Sequence, residues 1–253
     1  MCIRDRLQSI KRGDFLRFLR SIQQDAKLFI YIYILLMLFR CAFLVIYSGQ
    51  LGNAGAGDIA EALWLGARIS LKTTAFLVAF PFVFATLPYS FWSRWPARRV
   101  RNGLGSAAIT IMTVLFMARI PYYEVFHHAF DIMLFNGMTD DKAAIWDTVV
   151  HQYQFWPRLA GAIVLIVLFV ALWLRLVKTP VWTPKRHVRR YVVFVAVLVP
   201  IFGMFCRFGG AFDSDHGVPW ESAARTRYTL LNEAILDDGQ ALYRAYIMHK
   251  RAT

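Results

Sequence analysis

Two adjacent imidazoles and a nearby carboxylate open the stretch FHHAFDIMLFNGMTDDKAAIWDTV, which begins at Phe126. His127 and Asp131 are four residues apart, and His128 and Asp131 three, so on a helix all three share a side. A catalytic zinc site wants three protein ligands and an open position. One helix supplies two at most in good geometry, so a third would have to come from elsewhere, such as His151 or His216. The surrounding pattern argues for something plainer. Phe126, Ala129, Phe130, Met133 and Leu134 form one apolar helical face, with His127, His128 and Asp131 largely on the other. Asn136-Gly137 reads as a stop. Thr139 or Asp140 can cap a second helix, with the Asp140–Asp141 pair at its positive end. Ala143, Trp146 and Val150 line that helix's face. The spacing predicts two short amphipathic helices on a membrane surface. His127, His128 and Asp131 then form a solvated or capped surface, or a polar lining beside a lipid headgroup. No metal site is predicted.

The elements that must position these residues are membrane spans. Of 253 residues 58% are hydrophobic and only 18% charged, against about 45–50% and about 25% in soluble domains. Five runs approach the roughly 20 apolar residues of a spanning helix: 28–48, 63–87, 104–123, 159–177 and 191–206. The expected fold is therefore all-α, a polytopic membrane protein of five transmembrane helices. Cys2, Cys41 and Cys206 are scattered and suggest buried thiols rather than a disulfide framework.

Charge sets the direction. The segment before Leu28 has seven Lys/Arg, and the loop 49–62 has none. FWSRWPARRVR has four, and RLVKTPVWTPKRHVRR has six. The segment 124–158 has only Lys142 and Arg158 against five acids. Positive-inside logic puts the N-terminus in the cytoplasm and, after five crossings, the C-terminal tail outside. The net charge of +13 is then mostly cytoplasmic flank facing anionic headgroups, and a nucleic-acid partner is not expected. Trp92, Trp95, Trp156 and Trp182 fall at interfaces as an aromatic belt would.

Arg40, Arg68, Lys72 and Arg119 break the apolar pattern. A central cation costs about 2.5–3.5 kcal/mol on insertion scales. All four gather toward the outer leaflet, with Lys72 one turn below Arg68 on the same face. One reading is a pocket for the phosphate of an anionic outer-leaflet phospholipid, which a guanidinium fork suits. The other is internal pairing with Glu61, Glu124 or Asp131, helped by snorkelling. Both stay open at this level.

From Arg207 the tail reads RFGGAFDSDHGVPWESAARTRYTLLNEAILDDGQALYRAYIMHKRAT. RFGG and HGVP are loop-like, and helical patterning resumes at Glu221. YYEVFHHAFD…DDKAAIW, RFGG, WESA and above all LNEAILDDGQALYRAY resemble the membrane domain of the lipoteichoic acid synthase-like proteins, the Bacteroidetes-type members most. These are sulfatase-fold phosphoglycerol or related phosphotransferases, and phosphoethanolamine transferases share the five-span plan. The resemblance implies a catalytic domain beyond this chain, on the outer face of the bacterial plasma membrane, with a Thr or Ser nucleophile and a divalent metal. No position here matches those motifs, so neither catalytic residues nor cofactors are assigned to this chain.

The expected organisation follows. MCIRDR resembles a translated sequencing-adapter remnant, so residues 1–6 read as a non-native scar. Residues 7–27 form a basic cytoplasmic segment. Residues 28–206 form the transmembrane domain, with the external loop 124–158. Residues 207–253 form extracytoplasmic linker helices, truncated before the catalytic domain. The expected role is to anchor that domain and present lipid to it. A stand-alone transporter subunit or a scaffolding membrane protein is the alternative.

Overall fold

The computed structural model describes residues 3–136, 155–184, 187–218 and 225–252. Every regular element among them is helical. Helix α1 (Ile3–Ile46) has no proline, so nothing interrupts its hydrogen-bond ladder over about 66 Å. Helix α2 (Ala56–Pro81) runs through a π-helical stretch, Phe82–Thr86, into α3 (Leu87–Phe91). Then come α4 (Ala97–Phe126), α5 (Ile132–Asn136), α6 (Phe155–Leu176), α7 (Val188–Arg207), α8 (Thr229–Ile235) and α9 (Asp238–Ala252).

Five of these, counting α2 to α3 as one continuous helix, are long and apolar enough to cross a membrane. They overlap the five predicted spans but run further at several ends. Hydropathy marks the apolar middle of a helix, while the backbone ladder continues into polar flanks. The apolar surface is arranged for lipid rather than water. Ile30, Ile34 and Leu38 on α1, Val164, Val167 and Leu168 on α6, and Phe194, Val197 and Ile201 on α7 are all exposed. Patches of that extent are foreign to soluble monomers.

Packing centres on α1. Phe39 stacks on Phe116 of α4 at 4.4 Å between centroids and meets Phe169 of α6 edge-on at 5.7 Å. The Tyr31 hydroxyl donates to the Phe169 carbonyl at 2.7 Å. Gly105 of α4 allows the close approach: a Cβ there would lie 3.0 Å from Trp173 Nε1 and 3.1 Å from Leu28.

Contacts define the two ends of the bundle. At the first end, the 177–184 loop is strapped to α1. Lys27 Nζ donates to Thr179 Oγ1 at 2.7 Å, and Gln23 exchanges two hydrogen bonds with the Trp182 backbone. A buried polar knot lies beside the strap. Arg101 Nε donates to Asp25 Oδ1 at 2.6 Å and Arg101 Nη2 to Thr86 Oγ1 at 2.7 Å, with Ser21 completing the group. Thr86 belongs to the π-helical stretch, which follows Pro81 and precedes Pro88. Pro88 lacks an N–H, so the Phe84 carbonyl loses its helical donor. The Trp95 indole supplies one at 3.0 Å.

The tail forms the second end. Leu231, Ile235, Leu236, Ala241 and Ala245 are fully buried, and they join the same apolar core as Leu36, Ile69 and Met112. The tail helices therefore pack into the mouth of the bundle instead of standing clear of it.

Arg101→Ala tests the buried knot, because it strands the Asp25 carboxylate in the interior. The expected loss is about 3–5 kcal/mol in a denaturant titration in micelles. Arg17→Ala, which breaks the partly exposed Asp14 pair, should cost no more than ~1 kcal/mol.

Candidate functional site

Helix α8 has seven residues, too few to be stable alone. Its last turn is buried, so the carbonyls that find no partner within the helix must find donors elsewhere. Two arginines from the spans provide them. Arg40 Nε donates to the Ala234 carbonyl at 2.8 Å, and Arg40 Nη2 to that of Ile235 at 3.2 Å. Arg119 Nη2 donates to the Glu233 carbonyl at 2.6 Å, and Arg119 Nη1 to that of Leu236 at 3.2 Å. Four consecutive carbonyls at the negative end of a helix thus meet two cations. Each arginine is 3% exposed, so this coordination replaces water for both.

The segment Asp237-Asp238-Gly239 completes the junction. Asp237 caps α9: its Oδ1 accepts the Gln240 N–H at 2.9 Å. The same carboxylate accepts Thr73 Oγ1 at 2.9 Å and Ser70 Oγ at 3.3 Å, both from α2. Asp238 Oδ1 pairs with Arg119 Nη1 at 2.9 Å. Burial pushes the Asp238 carboxyl upward, and the Arg119 guanidinium pulls the other way. A Cβ on Gly239 would lie 3.1 Å from Thr73 Cγ2, a tight contact that its absence relieves where α9 starts against α2. Gly66 does the same for Arg40. A Cβ there would overlap the Arg40 side chain, reaching 2.6 Å from its Cζ.

Arg68 and Lys72 hold a second tail segment. The RFGG turn ends α7, with Gly209 and Gly210 at φ of +65° and +81° and their N–H groups returned to Cys206 and Phe205 at 3.0 and 2.9 Å. Arg68 Nε donates to the Gly209 carbonyl at 2.7 Å and Arg68 Nη2 to that of His216 at 2.6 Å. Lys72 Nζ donates to the Val218 carbonyl at 2.6 Å. The four predicted cations therefore act in two pairs, each gripping tail backbone. Internal pairing occurs, but none of the proposed carboxylates supplies it: Glu124 pairs with Arg158 at 2.8 Å, Asp131 accepts from Tyr122, and Glu61 is exposed.

Arg68 also borders open space. Arg68 lines a cavity of about 580 Å³ with Trp64, Asp213, Asp215, His216 and Arg225. His216 Nδ1 lies 2.9 Å from Asp213 Oδ1, and its backbone N–H donates to the same oxygen at 2.8 Å. These bonds, backbone first, hold the Asp213 carboxyl below its usual range.

The 126–134 stretch differs from the predicted single helix. Helix α4 continues to Phe126, and His127 ends it in the left-handed conformation at φ 55°. The chain then bends, and only Ile132–Asn136 is helical, started by Asp131 Oδ1 accepting the Met133 N–H at 2.9 Å. Of the predicted apolar face, Ala129 and Phe130 are buried and Leu134 half-buried, but Phe126 and Met133 are exposed, so the face does not form as one stripe. The break follows from the tail: Glu233 Oε2 accepts the Ala129 N–H at 2.7 Å and draws the chain aside. His127 and His128 stay exposed, with His128 Nδ1 3.9 Å from Glu233 Oε1. The second predicted helix, from Thr139 or Asp140, lies outside the described residues. Among the described residues no three His, Cys, Asp or Glu side chains group as metal ligands.

No family model, curated protein or solved structure matches the chain.

Gly66→Ala is expected to push Arg40 off the Ala234 and Ile235 carbonyls. The loss should reach about 2–4 kcal/mol, as for other stranded buried charges. Limited proteolysis checks it: cleavage within 225–236 should become fast in the variant and remain slow in the parent. A cut rate unchanged from the parent would show that Arg40 does not hold α8.

Proposed function

We propose that this chain is the membrane-anchoring and lipid-presenting domain of a sulfatase-like phosphoglycerol- or phosphoethanolamine-type transferase, acting at the outer face of the bacterial plasma membrane. The observation that carries the reading is the docking of LNEAILDDGQALYR. This run carries most of the resemblance to lipoteichoic acid synthase-like proteins. It is also a part of the tail that the bundle holds firmly, through Arg40, Arg119, Ser70 and Thr73. A domain attached beyond α9 would sit at a fixed height and orientation over the membrane. Rigid placement of that kind is what transfer from a lipid headgroup requires.

The catalytic groups, and the divalent metal they need, belong in this reading to the attached domain. The chain's own contribution is to place that domain and to admit a headgroup near Arg68. Anionic outer-leaflet phospholipid is the expected small-molecule partner, with the N-terminus in the cytoplasm and the tail outside. A transporter subunit would need polar groups lining a path between the two ends. Among the described residues, the buried charged groups fall into two knots, at Arg101 and at Arg40 and Arg119, with only the hydroxyls of Thr74 and Thr113 buried between them.

Two measurements test the proposal. Sequencing the gene past codon 253 should find an in-frame sulfatase-like domain; a stop codon there would remove the enzyme reading. Alkaline phosphatase fused after Thr253 should be active and green fluorescent protein at the same site dark; the reverse would place the tail inside.

A further inference from the structure

We propose that the cavity between α2 and the 209–218 turn binds a phosphate ester carrying a primary ammonium, the chemistry of an ethanolamine phosphate headgroup. The inference rests on the lipid-presenting reading and narrows it to one headgroup class.

The charges lining the cavity carry the argument. Arg68 enters from α2, and the Gly209 and His216 carbonyls fix two of its nitrogens. Among the described residues its Nη1 has no hydrogen-bond partner, and Arg225, which is exposed, has no partner at all. These two guanidinium groups suit a phosphate, which accepts from planar forks. The same cavity is lined by Asp213 and Asp215. Asp213 is held as a carboxylate by His216, and Asp215 has only a long contact of 3.4 Å from Ser214 Oγ. Two cations and two anions in one cavity do not suit a ligand of a single sign. A phosphoglycerol headgroup would bring its one negative charge beside two carboxylates and offer them only hydroxyls. A zwitterion places each charge against its opposite.

The ammonium type follows from the same residues. A primary ammonium has three N–H donors for carboxylates. A trimethylammonium has none and is recognised by aromatic cages, whereas Trp64 and Phe212 are both largely exposed. Those two side chains give the cavity an apolar rim, suited to the glycerol and acyl portion of a lipid. The ligand chemistry is common to the lipid and to free phosphoethanolamine.

Native mass spectrometry of the full chain, released from nanodiscs of equimolar phosphatidylethanolamine, phosphatidylglycerol and phosphatidylcholine with matched chains, tests this. Phosphatidylethanolamine should be retained over both others by about ten-fold, the equivalent of one charge-assisted hydrogen bond. Asp215→Asn should bring it to parity with phosphatidylcholine, and Arg225→Gln should weaken every phospholipid alike. Neither side chain holds the fold, so these variants should remain intact; Asp213→Asn neutralises the second acid while keeping an acceptor for the His216 N–H. Equal retention of phosphatidylcholine, or a preference unmoved by Asp215→Asn and Asp213→Asn, would overturn the primary-ammonium assignment. Preferred retention of phosphatidylglycerol, lost in Arg225→Gln, would overturn it while leaving lipid presentation standing. Retention of no phospholipid above an unrelated membrane protein would overturn both. Soluble phosphoethanolamine that displaces the lipid identifies the headgroup alone as the ligand. If the lipid resists displacement while keeping its preference, the lipid is the source, and the chemistry of the site is supported either way.

Discussion

Two guanidinium groups close the carboxyl end of a seven-residue helix, and the architecture of the tail follows from that contact. Arg40 and Arg119 would each be costly inside the bundle if left alone. The carbonyls of Glu233, Ala234, Ile235 and Leu236 would be equally costly if buried without donors. Each set supplies partners to the other. Once α8 is seated, Asp237 reaches Thr73 and Ser70, so α9 starts against α2. Glu233 reaches the Ala129 N–H, so the chain after α4 turns aside. Phe135 of α5 then stacks near His249 of α9 at 5.3 Å. Short elements that could not persist in water are thereby joined to long ones that can persist in a bilayer.

The long elements were legible in the sequence because hydropathy acts over twenty residues and needs no partner. The five apolar runs could be placed without knowing what they touch. The cations were legible as anomalies, but their partners were not. The carboxylates near them in the chain, Glu61, Glu124 and Asp131, are bound or exposed elsewhere. The cations' partners are mostly backbone carbonyls more than a hundred residues away, and a carbonyl leaves no mark in a sequence. Asp238 did leave one: two acids before a glycine, just after a buried apolar run, match in number the two deepest arginines. The 126–134 stretch shows the reverse. Its apolar spacing finds Ala129 and Phe130 but also marks Phe126 and Met133, which are exposed, because a helical period cannot register that Glu233 competes for the Ala129 N–H. Arg101 and Asp25 were hidden for another reason. Counted as flank charges they look solvated, and only the fold puts them 2.6 Å apart beside Thr86.

Small residues decide which contacts are possible. Gly66, Gly105 and Gly239 each stand where a Cβ would press on a neighbour: Arg40, Trp173 and Thr73 respectively. None of the three needs an unusual backbone angle, so the requirement is space. In a bilayer, where apolar burial gives helices no preference for each other over lipid, close approach is the main source of packing energy. The glycines at 66 and 239 also serve the polar junction, because they bring guanidinium and carboxylate to bonding distance.

The same ledger of partners separates cations that hold structure from those able to meet a ligand. A phosphate could reach Arg40 or Arg119 only by taking the place of helix-end carbonyls that would then be buried without donors. Each such carbonyl costs about 1–3 kcal/mol, and Asp238 would lose its counter-ion as well, a further loss of about 3–5 kcal/mol. A single phosphate contact does not offset that sum, so those two arginines are structural. Lys72 is likewise committed to the Val218 carbonyl. Arg68 is different, because its two backbone bonds orient the guanidinium without enclosing it, and the cavity beside it opens onto Arg225 and two carboxylates. A cation inside a span can meet a ligand only where its fold leaves it beside open space, and Arg68 meets that condition.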